Sequence, residues 1–158
     1  GPVSVDHVPP QRDPRQNRDR ITSVNLQSIL KLASSALGAE STRVRIISEN
    51  IANTDSVSAD GQTPYRRKII TFSAVFDRKA KSELVKVKSI DMDRSDFIRR
   101  YEPSNPRAKT DGYVDYPNIQ PVIEMADLRD AERSYKANVQ VVQTAKQLFK
   151  NALDILKA

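Results

Sequence analysis

Asp91, Asp93 and Ser95, followed by Phe97, Ile98 and Glu102, come nearer to chemistry in type and spacing than any other residues of this chain. Oxygen-bearing side chains at alternate positions, closed by a Glu at the twelfth, form the donor pattern of a calcium-binding loop. The sixth position of such a loop needs Gly for its sharp turn, and here it is Asp96. Arg94, Arg99 and Arg100 would repel a cation, and the flanking segments carry strand patterns rather than helical ones. The run therefore reads as a charged turn between strands. Other chemistries lack their residues. There is no Cys, so disulfides, thiolate nucleophiles and Cys-ligated zinc are excluded. The single His, His7, sits in a Pro- and Arg-rich stretch without a second His to share a metal, and no Gly-rich phosphate loop occurs among only 4 Gly. No enzyme, no metal and no cofactor is expected.

The net charge of +6 belongs mainly to the middle of the chain, where residues 64–110 hold 13 Lys and Arg against 6 Asp and Glu. Tyr65, Arg66, Arg67 and Lys68 open that basic stretch as candidate contact residues. No stacking platform or basic recognition helix accompanies them, so nucleic acid is not the expected partner. Alternating Lys86 and Lys88 suit the solvated face of a strand, where Lys also discourages edge-to-edge pairing. No apolar run approaches the ~18 residues of a membrane span, so no membrane insertion is expected.

The elements that would position these residues are two long helices around a small middle. Residues 1–22, rich in Pro and charge, read as a disordered tail. A first helix is expected from about Ser23 to Ala52, with Leu26, Leu30, Ala33, Leu37, Val44, Ile47 and Ile51 along its apolar seam. With Glu40 counted in, the spacing alternates four and three, the 3.5-residue repeat of coiled coils. A second helix is expected from about Val122 to Lys157. Its seam is Leu128, Ala131, Tyr135, Asn138, Val142, Ala145, Phe149, Ala152 and Leu156, alternately large and small. Flanking apolar residues widen this stripe beyond one seam, which implies more than one partner helix. An antiparallel pairing with Ile51 level with Leu128 would bring the polar interruptions Glu40 and Asn138 within a turn of each other, where they could fix register; the alternative is that each faces solvent. Between the helices, residues 68–72, 84–90 and more weakly 97–101 are short β-branched runs bounded by turn residues. The fold class is thus α+β: terminal helices pairing as an antiparallel coiled coil (23–56 and 121–158), with a β-rich insert over 57–120.

The helix end carries the sharpest signal. Ile46-Ile47-Ser48-Glu49-Asn50-Ile51-Ala52-Asn53 exceeds what an ordinary helix terminus needs, and Asn50 and Asn53 share one face. Side-chain amides there could bond exposed backbone groups across a contact with a neighbouring subunit. The string resembles the signature of the bacterial flagellar rod and hook proteins: two aliphatics, a small polar residue, then Asn-aliphatic-small-Asn. Pro64-Tyr65-Arg66-Arg67-Lys68, Gly112-Tyr113-Val114-Asp115-Tyr116-Pro117-Asn118, Met125-Ala126-Asp127-Leu128-Arg129 and Ser134-Tyr135-Lys136-Ala137-Asn138-Val139 are similar to the small proximal-rod members, over about residues 23–158.

The resemblance implies a structural subunit whose terminal helices pack into the inner tube of the rod and whose insert contacts neighbouring subunits. It implies residence in the flagellar basal body, in the rod crossing the periplasm, after export through the flagellar type III apparatus without a cleaved signal peptide. The implied partners are other copies of the chain, the other proximal-rod subunits, the distal rod, the adaptor at the rod base and the export apparatus. The competing expectation is a coiled-coil adaptor whose basic insert binds an acidic partner or nucleic acid.

Overall fold

The computed structural model describes residues 13–57 and 63–157, with Gly1 and Pro10, and their side chains except at 17 and 19–25. Six elements follow in order: α1 (Pro14–Ala52), β1 (Lys68–Asp77), β2 (Ser82–Met92), β3 (Ile98–Tyr101), β4 (Tyr113–Tyr116) and α2 (Pro121–Lys157). The architecture is α+β, with long helices at both ends of the chain and two small antiparallel sheets between them.

Helix α1 starts nine residues before the expected Ser23, so residues 14–22 are helical and not tail. Pro14 occupies the first turn, where its missing N–H costs nothing and its φ is already helical. Asp13 precedes it as cap, accepting a hydrogen bond from the Arg15 N–H at 2.9 Å. The tail expected over residues 2–9, 11 and 12 lies outside the described residues. At its other end α1 stops without a glycine. Asn53 Nδ2 donates to the Glu49 carbonyl and Thr54 Oγ1 to that of Ile51, both at 2.8 Å, so side chains satisfy the carbonyls the helix leaves open.

The helices pack on each other in opposite directions. Arg43 of α1 approaches Asp130 near the start of α2, and Leu26 and Ile29 line one cleft with Val141 and Leu148 far along it. The small seam residues are the buried ones: Ala33, Ala131 and Ala145 are each under 5% exposed. Leu26, Leu30, Leu37, Val44, Leu128, Asn138 and Val142 are half-buried around them, because alanine lets the backbones approach while the larger side chains splay to the flanks. Tyr135, Phe149, Ala152 and Leu156 are exposed. Glu40 and Asn138 do not meet. Glu40 pairs with Arg43 of its own helix at 3.6 Å, and Asn138 Nδ2 donates to the Ser134 carbonyl at 3.0 Å. An i,i+4 carbonyl is always within reach of such an amide, so no cross-helix register pair is needed.

The β1–β2 ribbon lies along α1. From Lys68 to Asp77 the strand advances about 30 Å, and from Asn50 back to Lys31 the helix covers about 29 Å, so the two can be tied at both ends. Both ties exist: the Asn50 side chain holds the Lys68 backbone, and Lys31 Nζ meets Asp77 Oδ2 at 2.7 Å. Between them Ser35 Oγ accepts from the Val85 N–H, and beyond the second tie Ser28 Oγ donates to the Ala80 carbonyl in the turn. The β1 edge thus faces α1 at the base and the β2 edge faces it near the turn. A two-stranded ribbon twists strongly, and the register slip between Thr71 and Phe72, which leaves Lys88 unpaired, adds to the rotation. Both strands run longer than expected from their β-branched cores. The β3–β4 hairpin contains a strand not expected from sequence, Tyr113–Tyr116. Gly112 turns into it at φ +85, with Tyr101 so close that an added Cβ would lie 2.7 Å from its ring.

Candidate functional site

The insert touches α2 through two loops rather than through its strands. These loops, residues 63–67 and 117–120, meet the end of α1 in one polar joint. Its sides are apolar: Ile46, Ile47, Pro64, Val114, Pro117 and Ile119 are all buried.

Asn50 occupies the centre, 1% exposed. Lys68 stands at a ladder position whose N–H and C=O point away from β2, as the neighbouring bond from the Asp93 N–H to the Arg67 carbonyl requires. Asn50 Nδ2 donates to that Lys68 carbonyl at 2.9 Å, and its Oδ1 accepts from the Lys68 N–H at 2.9 Å and from Tyr65 Oη at 3.1 Å. A buried amide with all these bonds filled stabilises its site, whereas an unfilled one would cost ~1–3 kcal/mol per group.

Arg66 Nη1 donates to the carbonyls of Asp93 and Ser95, both at 2.8 Å, while its guanidinium lies 4.2 Å above the Phe97 ring. Arg67 turns the other way: Nε donates to Glu124 Oε1 and Nη1 to Asp93 Oδ2. Glu124 is 1% exposed and stands in the first turn of α2, where the helix dipole favours an anion. Its Oε2 has no partner among the described residues. Asn118 closes the ring, accepting from the Arg67 N–H at 2.8 Å and donating to the Asp93 carbonyl and to Ser95 Oγ, both at 3.0 Å. Lys68 Nζ reaches Glu49 Oε2 at 2.9 Å on the half-exposed rim.

Titration follows these contacts. Burial works against the Arg67 charge, but hydrogen bonds and the proximity of Glu124 and Asp93 outweigh it and raise its pKa. The Ser95 backbone N–H, then the Ser95 side chain and Arg67, hold Asp93 below the usual carboxylate range. Lys68 and Glu49 each favour the other's charged form. Burial pushes the Tyr65 phenol up. Arg67, Lys68, Asp93 and Glu49 are thereby held in their charged forms and Tyr65 in its neutral one, which suits a structural joint.

Of the signature, Ile46, Ile47 and Asn50 are buried, Ile51 and Asn53 half-buried, and Ser48 and Ala52 exposed. Both amides are engaged within the chain. Asn50 is filled by Lys68 and Tyr65, and Asn53 by Glu49 and by Ser56 Oγ at 2.9 Å. Polar groups at a buried helix end take the nearest backbone partners, and here the returning chain supplies them. Tyr65, Arg66, Arg67 and Lys68 likewise bind within the chain. The calcium-like run is dispersed: Asp93 faces Ser95 and Arg67, and Glu102 faces Asn105 and Tyr116. Asn118 and Glu124 were not singled out for this joint by sequence. The one signal is an acidic residue in the first turn after Pro121, which any capped helix would show.

Residues 110–155 match the family model described as flagellar basal body rod FlgEFG protein C-terminal. The chain is 48% identical over 134 residues to the flagellar basal-body rod protein FlgC of Agrobacterium fabrum, covering 84% of this chain and 96% of that one. It is 37% identical to the FlgC proteins of Bacillus subtilis and Salmonella typhimurium, over 81% and 82% of this chain and 96% and 97% of theirs.

Proposed function

Because this chain belongs to the FlgC family of flagellar basal-body rod proteins, we propose that it builds the proximal rod by packing its terminal helices, paired as an antiparallel coiled coil, against those of its neighbours. It is a structural protein of the flagellar basal body and not an enzyme. In this reading it transmits torque along the drive shaft and continues the export channel. Its partners are further copies, the other proximal-rod subunits, the distal rod and the adaptor at the rod base, reached after export by the type III apparatus.

The observation that carries the assembly reading is the far half of α2, where Leu148, Phe149, Leu153, Ile155 and Leu156 remain between 41% and 81% exposed. A stripe of that extent is uncovered apolar surface worth ~25 cal/mol per Å² to any neighbour that buries it. Phe149, Ala152 and Leu156 then act between subunits, while Ala33, Ala131 and Ala145 act within the pair. The signature residues and Tyr65–Lys68 serve assembly indirectly, by fixing the angle at which the insert leaves the helices. Expression in a strain deleted for its own FlgC tests this. Restored swimming, with the chain present in purified basal bodies, supports the reading; a chain that is exported but absent from basal bodies opposes it.

A further inference from the structure

The turn half of the β1–β2 ribbon is basic whichever neighbours are counted. Arg78, Lys79, Lys81, Lys86 and Lys88 are exposed, and none of the five has an ion-pair partner among the described residues. Lys31 of α1 neutralises Asp77, which leaves Glu83 as the one further carboxylate of that half. Over the whole ribbon, residues 68–92, six cations stand against Asp77, Glu83 and Asp91. Apolar surface lies among these cations: Val75 is 48% and Phe76 62% exposed. Near the turn β2 faces α1, so β1 is the outer edge there, and consecutive strand residues point to opposite faces. Val75 and Phe76 therefore project on the two sides of one free edge. A rigid partner surface covers one of those sides, whereas a fluid interface receives both.

We propose that this outer edge and its turn lie on an anionic phospholipid surface. Val75 and Phe76 enter the headgroup layer, and Arg78, Lys79 and Lys81 are drawn to the lipid phosphates, the pairing of apolar area with cations that holds a protein on such a surface. Among the described residues no helix is long and apolar enough to cross a membrane, so the contact is peripheral. The turn sits level with Ser28, and α1 runs about 21 Å past it to Pro14, so the ribbon meets the surface side-on. The inference is independent of the rod reading, because it concerns the isolated chain.

The chain has no Trp, so full-length Phe76→Trp reports on this site without background. Vesicles of phosphatidylcholine mixed with phosphatidylglycerol should shift its emission to the blue, and vesicles of phosphatidylcholine alone should not. In flotation the wild-type chain should rise with the anionic vesicles only, and less so as salt increases. Lys79→Glu/Lys81→Glu should weaken that binding by roughly tenfold or more. Helical circular dichroism, retained in each variant, separates lost binding from lost fold. Phe149→Trp, on the open stripe of α2, is the comparator. A blue shift at position 149 with none at 76 would place the lipid on the helix and overturn the proposal. Equal binding to neutral vesicles, or binding that survives the charge reversal, would overturn it too. So would a Phe76→Trp emission that answers to polyglutamate but not to vesicles, which would make the partner an acidic protein.

Discussion

The side chain of Asn50 pairs with the backbone of Lys68 as a neighbouring strand would, its amide giving one bond to the carbonyl and taking one from the N–H, both at 2.9 Å. One residue of α1 thereby fixes where β1 begins. Both insert hairpins then leave the helix pair from a joint in which Arg67 and Asn118 tie the same few residues to α2.

Asn50→Ala should destabilise the isolated chain by about 3 kcal/mol or more, since it strands the Lys68 N–H and C=O and the Tyr65 hydroxyl in a buried place. Asn50→Asp keeps the acceptor and replaces the donor by an oxygen facing the Lys68 carbonyl, so it should not rescue. Urea unfolding followed by tyrosine fluorescence measures both. Wild-type stability in Asn50→Ala would mean the amide is dispensable within the chain and would return it to a role between subunits.

The tie between the ribbon turn and α1 should weaken in acid. Lys31, then the Ala80 and Lys79 N–H groups, depress Asp77 from 3.8 to about 2. Its contribution is complete above the unfolded value and lost as pH falls from about 4 to about 2. Amide protection at residues 74–86 should decline over that window, and Asp77→Asn should remove the pH dependence there. A profile unchanged by the substitution would show that the Lys31 tie does not hold the ribbon.

Much of the helical frame is legible in the sequence because a 3.5-residue repeat sustained over about thirty positions has no other reading. The start of α1 is not, since the Asp13-Pro14 cap is set among prolines and charges that resemble a tail. Tyr113–Tyr116 escapes because four residues with an Asp among them show no alternation. The joint is only half legible. Its Asn-rich string stands out, but the partners of Asn50 and Asn118 lie 18 and 51 residues away, and no local pattern encodes such pairings.

Small seam positions should differ in tolerance. Ala131 is 0% exposed, so Ala131→Leu must overpack and should cost ~1–3 kcal/mol in the isolated chain. Ala145 borders the cleft of about 350 Å³ between Leu26 and Leu148, so Ala145→Leu should cost less. Thermal unfolding of the two variants decides it, and an equal or reversed order would contradict this packing of α2.

Gly112→Ala should weaken the β3–β4 hairpin by ~1–3 kcal/mol, through both its positive φ and the contact with the Tyr101 ring. Adding Tyr101→Ala should recover only the steric share. Full recovery in the double variant would mean that φ +85 carries no strain here.

Hydrogen exchange of the full isolated chain, wild type against Arg67→Met, tests the joint itself. Removing the guanidinium leaves Glu124 and Asp93 without their shared partner, so faster exchange is expected together at residues 68–72 and at 122–126, on two elements otherwise far apart in sequence. Protection unchanged at both, with a defect appearing only on incorporation into rods, would contradict the account and make Arg67 a contact between subunits.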